Sequence, residues 1–382
     1  MEGTLTETGS LQRIHNLCVE KNFSFVSYRT PGSREITTGI QLHDLPARLG
    51  SFQSVKRKKG FVFAPFGISN AFPVRLIVPD ITFTGCNYEG SLHSYPGNTK
   101  GAARESRRET REAGSKEISR TGYVDKVNNI KQAISNGNLD KVVLSRLSTD
   151  PKPEDFNPSQ FLNILHLTYP DAFVYLLYIP DAGMWCGATP ESLVSVTGNI
   201  VTTVSLAGTR KYPGEGVQVT WDEKEIREQD IVTGYIEEVL KKFNITGYRK
   251  TDLESMKAGN LVHLKSGFSL SLDALDGRLF EFIEELHPTP SVCGLPKDKA
   301  LSFLKKTEEH DREYYSGFLG PVDTIKDEME LFVNLRCMKI ESHSLKFFIG
   351  AGITSGSDPL KEWEETEDKK MTLVNILKRI TR

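Results

Sequence analysis

Two glutamates interrupt an apolar stripe on a helix predicted between residues 222 and 243. Apolar positions recur at helical spacing from Val232 to Val239, and steps of four and three residues back along the stripe reach Glu228 and Glu225. A carboxylate that faces a core is unfavourable unless a cation lies beside it. The pattern therefore predicts a cation near the start of this helix.

The C-terminal helix repeats the arrangement. Asp358 is typical of an N-cap and Pro359 of a first helical residue, and the stripe behind them begins with Glu362 and Glu365 and continues through Lys369 to apolar positions. Acidic residues also favour first helical turns because they complement the helix dipole, which remains an explanation for either helix alone. Two such pairs together favour a shared site, where hard oxygen ligands suit magnesium.

Two further side chains could move protons. Lys141 opens the predicted strand KVVLSR, where alternation places it on one face with Val143 and Ser145. A strand-edge lysine is usually solvated, but a desolvated lysine releases its proton readily and can act as a base. Glu191 follows a proline in CGATPESL and, taken alone, is equally typical of an exposed turn.

Arg336 lies within LFVNLRCMKI, where alternation predicts one definite sheet face among apolar neighbours. A half-buried arginine needs a carboxylate, which the chain or a ligand can supply. The glycine-rich run at residues 350–356 permits close approach of a ligand to the backbone. It does not match the dinucleotide-binding fingerprint, and the chain has no P-loop, serine-hydrolase elbow or HExxH motif.

The elements that must position these residues are mostly strands. The order of the runs, without a fixed-period repeat, indicates a large α+β protein with substantial antiparallel sheet. A helix is predicted over TGYVDKVNNIKQAISNG, ending near Gly137. Strand-like runs occur at residues 23–29, 61–66, 74–83, 141–147, 173–179, 192–198, 331–342 and 344–353.

Charge and composition exclude several classes of function. The 382 residues include 48 Lys and Arg against 50 Asp and Glu, so neither nucleic acid nor an anionic membrane is an expected partner. No apolar run approaches the roughly 20 residues that span a bilayer, and no signal peptide is recognisable. Five scattered cysteines support neither a disulfide framework nor a thiolate zinc site. We therefore expect a cytoplasmic globular enzyme, and the near-neutral charge without a heptad seam favours a monomer.

A series of motifs resembles the chorismate-utilising enzymes, and among them most closely the isochorismate synthases. Together the motifs cover about two-thirds of the chain. They are DKVVLSR at 140–146, GATPESL at 187–193, SLAGTR at 205–210, KEIREQDIV at 224–232, LVHLKS at 261–266, LHPTPSVCGLP at 286–296, HDREYYSGFLG at 310–320, LRCMKI at 335–340, FIGAGI at 348–353 and DPLKEWEET at 358–366.

The resemblance implies one large chorismate-binding domain over residues 1–382, with a divergent N-terminal part (1–120) and a motif-bearing catalytic part (121–382). The charge-rich stretch of the chain at 101–120 separates the two parts. The implied fold is α+β, with two antiparallel sheets in a β-sandwich flanked by helices. The active site is expected in the cleft.

The resemblance also implies a magnesium ion that holds the ring carboxylate of chorismate. Glu228 and Glu365 correspond to its direct ligands. Glu225 and Glu362 correspond to neighbouring or water-mediated partners.

Other matching positions imply substrate contacts and proton transfer. Lys141 corresponds to the base that activates water for attack at C2, and Glu191 to the acid that protonates the departing C4 hydroxyl. His263 corresponds to a histidine near the ring. The positions that bind substrate carboxylates are Arg336, Lys369 and the backbone around Gly208, Thr209 and Gly350.

Two positions discriminate within the family. Anthranilate synthases usually carry Gln where this chain has Lys141, and aminodeoxychorismate synthases carry a nucleophilic Lys where it has Ala207. The combination favours water as the nucleophile and isochorismate as the product, for menaquinone or siderophore biosynthesis. Salicylate synthases, which go on to eliminate pyruvate, share both features and remain an alternative. A catalytically silent partner subunit is a second alternative, which the complete set of catalytic positions disfavours.

Overall fold

An aromatic core joins two antiparallel sheets. The computed structural model describes residues 2–85, 92–98, 117–215, 217, 219–259 and 261–380. Phe173 of one sheet stacks on Phe332 of the other, with ring centroids 4.3 Å apart. Trp185 and Phe63 meet across the same interface at 5.9 Å. Because large rings from both sheets are buried together, the sheets pack as one sandwich.

Each sheet combines strands from distant parts of the chain. The nine-stranded sheet runs through β15 (Gly294–Leu295), β7 (Lys141–Pro151), β19 (Ser344–Ile353), β18 (Cys337–Ile340), β9 (Gly183–Thr189), β8 (Phe173–Ile179), β1 (Ser24–Arg29), β2 (Thr37–Gln41) and β6 (Ile81–Thr84). The ten-stranded sheet runs through β12 (Tyr248–Lys250), β14 (Leu261–Ser271), β11 (Ile200–Lys211), β10 (Ser192–Thr197), β17 (Glu328–Val333), β16 (Phe318–Asp323), β4 (Lys59–Ala64), β5 (Val74–Ile77) and β3 (Ala47–Leu49), with β13 (Glu254–Ala258) also paired to β14.

Helices flank the sandwich. Within the described ranges they are α1 (Glu2–Glu20), α2 (Arg120–Ser135), α3 (Pro158–Thr168), α4 (Glu223–Lys242), α5 (Leu279–Leu286), α6 (Lys297–Thr307) and α7 (Pro359–Ile380). None of these described helices has the length and apolar character needed to cross a membrane.

The predicted α+β fold with two antiparallel sheets is confirmed. The N-terminal part contributes β1, β2 and β6 to one sheet and β3, β4 and β5 to the other. The predicted helix that ends near Gly137 is α2. Most of the charge-rich stretch at 101–120 lies outside the described residues, which resume at 117.

The expectation of one strand over residues 331–342 is wrong. β17 ends at Val333 in the ten-stranded sheet, and β18 begins at Cys337 in the nine-stranded sheet. The run at 74–83 divides between sheets in the same way, into β5 and β6. Alternation cannot reveal such a crossing because both halves of the run are strand-forming. Arg336 therefore lies between two strands with a positive φ of 48°, and not on a sheet face.

Two helices carry the predicted glutamate pairs to the cleft from different sheets. α7 begins where Asp358 Oδ1 accepts the backbone N–H groups of Leu360 and Lys361, at 2.9 and 3.1 Å. α4 begins with a capping box between Asp222 and Glu225. α4 packs on β11 of the ten-stranded sheet, whereas α7 packs on β19 of the nine-stranded sheet.

A buried ion pair fixes the strand that begins with Lys141. The Arg312 guanidinium donates to both carboxylate oxygens of Glu308, at 2.8 and 2.6 Å, and to the carbonyl oxygen of Val143 on β7, at 2.6 Å. The backbone N–H of Ser145 donates to the same carboxylate at 2.8 Å. Both partners are almost completely buried. The pair therefore satisfies backbone groups of β7 as well as its own charges.

Glu308→Ala is expected to lower the free energy of unfolding by about 3 kcal/mol or more, because it leaves the Arg312 charge buried without a partner. The matched control is Glu309→Ala, which removes a half-exposed carboxylate paired with Lys126 and is expected to cost less than about 1 kcal/mol. Urea denaturation measures both. Equal, small losses for the two variants would show that the buried pair does not stabilise β7.

Candidate active site

A small cavity in the cleft collects most of the residues singled out in the sequence. Its volume is about 50 Å³, and strands of both sheets and helices α4 and α7 contribute to its walls. Its lining comprises Val143, Pro190, Glu191, Leu206, Ala207, Gly208, Thr209, Glu228, His263, Ser291, Leu335, Arg336, Gly352, Glu365 and Lys369. We call it the catalytic cavity.

Lys141 forms an ion pair with Glu228 beside this cavity, which Glu228 lines and Lys141 does not. The Lys141 side chain is 1% exposed, and its Nζ lies 2.8 Å from Glu228 Oε1. The approach does not meet the directional requirements of a hydrogen bond, so the contact is chiefly electrostatic. β7 belongs to the nine-stranded sheet, whereas α4 packs on the ten-stranded sheet. The pair therefore joins the two halves of the sandwich at the cavity.

Glu191, unlike the charged pair of Lys141 and Glu228, is a carboxyl whose environment favours the neutral form. The residue is only 4% exposed, and no hydrogen bond to its carboxyl comes from the described part of the chain. Burial raises the pKa of Glu191 to about 7, and the charges of Lys141, Arg336 and Lys369 oppose that rise. A carboxyl with a pKa near neutrality can hold a proton until a reacting group requires it.

A β-bulge shapes the wall that carries Gly208 and His263. The pairing of β11 with β14 slips by one residue between Ala207 and Thr209, and Gly208 has φ +65°. A Cβ on Gly208 would lie 3.2 Å from Cβ of Glu225, so glycine permits β11 to approach α4 closely. The bulge also directs the carbonyl oxygen of Gly208 toward His263 Nδ1, at 2.9 Å.

His263 is consequently a neutral acceptor. Burial lowers its pKa to about 3, and Arg336 acts in the same direction. A carbonyl oxygen can only accept, so Nδ1 must carry the hydrogen that bonds Gly208, and Nε2 is left with a lone pair. Nε2 is buried and has no partner in the described part of the chain. The ring is thus prepared to accept a hydrogen bond from a ligand hydroxyl.

Arg336 supplies an unpaired positive charge. Burial lowers the pKa of its guanidinium, and the guanidinium forms no ion pair or hydrogen bond with any described residue. The sequence left open whether another part of the chain or a ligand would supply its carboxylate. A partly buried guanidinium without a partner among the described residues favours a ligand anion. Its left-handed backbone conformation is typical of strain retained at functional sites.

Lys369 connects the C-terminal helix α7 to β19 of the nine-stranded sheet. Its Nζ lies 2.6 Å from Glu365 Oε1 and donates to the carbonyl oxygen of Gly350 at 2.9 Å. Gly350 does not line the cavity, and in this structure it positions Lys369. A Cβ at Gly350 would lie 2.9 Å from the Tyr315 hydroxyl, so the strand also passes that ring closely.

The two remaining glutamates lie behind the cavity wall. Glu362 is 1% exposed, and its Oε1 accepts from Lys224 Nζ at 2.7 Å. Burial and the neighbouring Glu365 charge raise the pKa of Glu362, and its second oxygen, Oε2, has no described partner. Glu225 Oε2 instead accepts from the Asp222 backbone N–H and from Arg210, both at 3.1 Å.

Two cavity features escaped the sequence analysis. A Cβ at Gly352 would lie 2.5 Å from Glu228 Oε1 and 3.1 Å from Cε of Lys141, so only glycine leaves room for the ion pair. The sequence contains a signal for this clearance, since Gly350 and Gly352 alternate on one face of the strand. Lys224, one turn before Glu228 on α4, forms its ion pair with Glu362 of α7. Spacing within α4 does not indicate this partner, because it lies on another helix.

The donor set fits magnesium in its chemistry. Glu228, Glu362 and Glu365 offer hard carboxylate oxygens, and the buried Oε2 of Glu362 has no partner among the described residues. In the described ranges no three acidic, histidine or cysteine side chains form a ready-made metal cluster. Each of these glutamates is paired with a lysine, so ammonium groups now balance the charge that a metal would balance.

Comparison with known proteins relates this arrangement to a family. The chorismate binding enzyme family matches residues 90–378. Isochorismate synthase EntC of Escherichia coli is 30% identical over 245 residues, which cover 62% of this chain and 62% of that protein. Isochorismate synthase MenF of Haemophilus influenzae is 30% identical over 261 residues, covering 66% and 60%. The match thus spans about three-fifths of the length of these relatives.

Solved structures share the fold. The menaquinone-specific isochorismate synthase MenF from Escherichia coli superposes with a TM-score of 0.73 at 21% identity, covering 94% of this chain and 89% of that one. Anthranilate synthase component I from Streptococcus pneumoniae gives a TM-score of 0.60 at 19% identity, covering 92% of each chain.

Glu191→Gln is expected to stabilise the protein increasingly as the pH rises. The native pKa of about 7 lies above the ordinary value of 4.5, so the wild type loses stability between these values. The variant has no proton to lose. The difference in unfolding free energy should therefore grow by roughly 3 kcal/mol from pH 4 to pH 8. Urea denaturation across this range measures it.

The control is Glu364→Gln, which neutralises a carboxylate that is 65% exposed on α7. It should show no comparable growth with pH. If the stability difference for Glu191→Gln changes with pH no more than that of the control, Glu191 is ionised in the native protein and cannot hold a proton at neutral pH.

Proposed function

The chain belongs to the chorismate binding enzymes, and from that membership we propose that it is a magnesium-dependent isochorismate synthase. The observation that carries the proposal is Glu191, a buried carboxyl with a pKa near 7 on the same cavity as an unpaired guanidinium. An acid that is still substantially protonated at neutral pH is what the departure of a hydroxyl group needs. The named relatives support the same reaction, and they leave open whether menaquinone or a siderophore is the end product.

The reaction adds water at C2 of chorismate, shifts the ring double bonds and expels the C4 hydroxyl. We assign Lys141 as the base that takes a proton from the attacking water. Glu191 gives its proton to the departing hydroxyl, which leaves as water, so reactant and product are isomers. Lys141 acts as the base only when it is neutral and released from Glu228. Solvent exchange then returns both residues to their starting protonation states.

The remaining residues bind and orient the substrate. Arg336 and Lys369 provide positive charge for its carboxylates, and the backbone at Gly208 and Thr209 supplies the adjacent wall. His263 Nε2 accepts a hydrogen bond from a ring hydroxyl. Ala207 places no amine at the position where aminodeoxychorismate synthases carry a nucleophilic Lys, which supports water as the nucleophile.

Magnesium would be held by Glu228 and Glu365, with Glu225 and Glu362 as neighbouring partners. Bound there, it supplies a counter-ion for the ring carboxylate. Glu362 has the stronger support of the two neighbours because its buried Oε2 has no hydrogen-bond partner in the described part of the chain. Glu225 retains only Oε1 for such a role, since Oε2 caps α4 and binds Arg210.

Incubation of the protein with chorismate and magnesium should give a reversible mixture of chorismate and isochorismate, unchanged by ammonium. Lys141→Ala should abolish it, and Glu191→Gln should lower turnover by roughly 100-fold or more while substrate still binds. Chromatography of the products measures each result. Stoichiometric salicylate with pyruvate would identify a salicylate synthase, and an ammonium-dependent product would remove Lys141 from its role. A folded protein without any turnover would indicate a silent partner subunit.

Glu365→Gln and Glu228→Gln should each weaken magnesium binding by about 10-fold or more, because each removes one anionic ligand from a hard cation. Isothermal titration calorimetry on chelator-treated protein measures the affinity directly, and turnover should fall with it. Glu364→Gln, one residue from Glu365 but exposed, is the matched control. Retention of full affinity in Glu365→Gln would exclude it as a ligand.

A further inference from the structure

The catalytic cavity is too small for the proposed substrate. Its volume is about 50 Å³, whereas pockets for small molecules usually measure about 300 Å³ or more. A substrate must therefore displace part of the wall as it enters. We expect that movement where the wall faces a second open space, because the displaced residues can move into it.

Such a space adjoins the cavity at Arg336 and Pro190, which line both. It measures about 510 Å³, and we call it the antechamber. Three segments enclose it: residues 168–172 after α3, the β13–β14 hairpin at 256–259, and the C-terminal half of α7.

Other large cavities do not offer this route. A cavity of about 540 Å³ beside β1 and β4, and one of about 630 Å³ beside α6, share no lining residue with the catalytic cavity. A space of about 10 Å³ does share Arg336 and Lys369, but it is too small to admit a substrate.

The antechamber carries an excess of positive charge. Lys257, Arg379 and Arg336 line it, against the single carboxylate of Asp171. Arg379 donates to the Thr168 hydroxyl at 3.2 Å. Neither Lys257 nor Arg379 forms an ion pair with a described carboxylate. Lys257 Nζ lies 3.8 Å from the centroid of the Tyr212 ring, a contact that leaves its charge without a counter-ion. Both charges can therefore attract an anion that moves inward toward Arg336.

We infer that the antechamber is the route by which a dianionic substrate reaches the catalytic cavity. Lys257 and Arg379 attract the substrate, and Arg336 receives a carboxylate at the shared wall. Clefts lined by one sign of charge raise association rates in this way. The inference rests on the proposed function, because it takes chorismate as the anion.

Partial obstruction of the antechamber is the most direct test. Asn375 is an exposed residue of α7 that lines the antechamber, and Asn375→Phe adds bulk there without touching the catalytic cavity. In the Glu191→Gln background, which binds without rapid turnover, the association and dissociation rates of chorismate should both fall by about 10-fold. A barrier on a route slows both directions equally, so the dissociation constant should not change. Stopped-flow fluorescence gives the rates and calorimetry gives the affinity.

Charge variants test the same route without added bulk. Lys257→Gln combined with Arg379→Gln should lower the association rate by about 5-fold at low salt and flatten its dependence on ionic strength. Asp171→Asn should raise the rate. The matched controls are Asn129→Phe on the exposed face of α2 and Lys299→Gln on α6, neither of which lines the antechamber.

Association rates equal to those of the controls in both tests would overturn the inference, as would a loss of affinity without a change in association rate. Steady-state kcat/KM in the Glu191-containing enzyme provides the second measurement and should fall with the association rate in the low-salt charge variant. Absence of chorismate turnover in the wild type would instead reject the proposed function. The two failures are therefore distinguishable.

Discussion

The cleft depends on keeping buried charges paired across two sheets. Lys141 is fully buried on β7 of the nine-stranded sheet, and its partner Glu228 is carried by α4, which packs on the ten-stranded sheet. Burial of either charge alone would be strongly unfavourable. The pair thus links the two sheets at the place where the chain collects its reactive groups. Gly352 is required there because a side chain would collide with Glu228 Oε1 and separate the two charges.

The same low-dielectric space favours the neutral forms of two neighbouring groups. Glu191 therefore keeps a proton more readily, and His263 gives one up more readily. The Glu191 carboxyl is shielded from water and has no hydrogen-bond partner among the described residues, so it favours its neutral form at a pKa near 7. His263 is buried as well, and burial favours its neutral form too, which leaves Nε2 as an acceptor. Arg336 remains charged and unpaired beside them. An acid, a neutral acceptor and a free cation around one cavity form a site prepared for an anion that bears hydroxyl groups.

Much of the local structure was predictable from sequence. Helix α7 begins at the predicted cap of Asp358, and α4 buries the predicted stripe from Val232 to Val239, because capping and periodicity act over a few residues. The motifs around Lys141 and Glu191 also indicated the family, since each is a short contiguous stretch.

Partners and sheet crossings were decided only by the tertiary structure. Arg336 was expected on a strand face, yet it lies in a left-handed crossing between sheets, because an apolar run does not encode which sheet receives each half. The Glu225 carboxylate caps α4, whereas Glu362 reaches Lys224 on that helix. Periodicity specifies the direction of a side chain but not what lies opposite, and the pKa of Glu191 depends on that environment. Sequence therefore determined the residue types and their faces, while packing of the two sheets determined which charges meet.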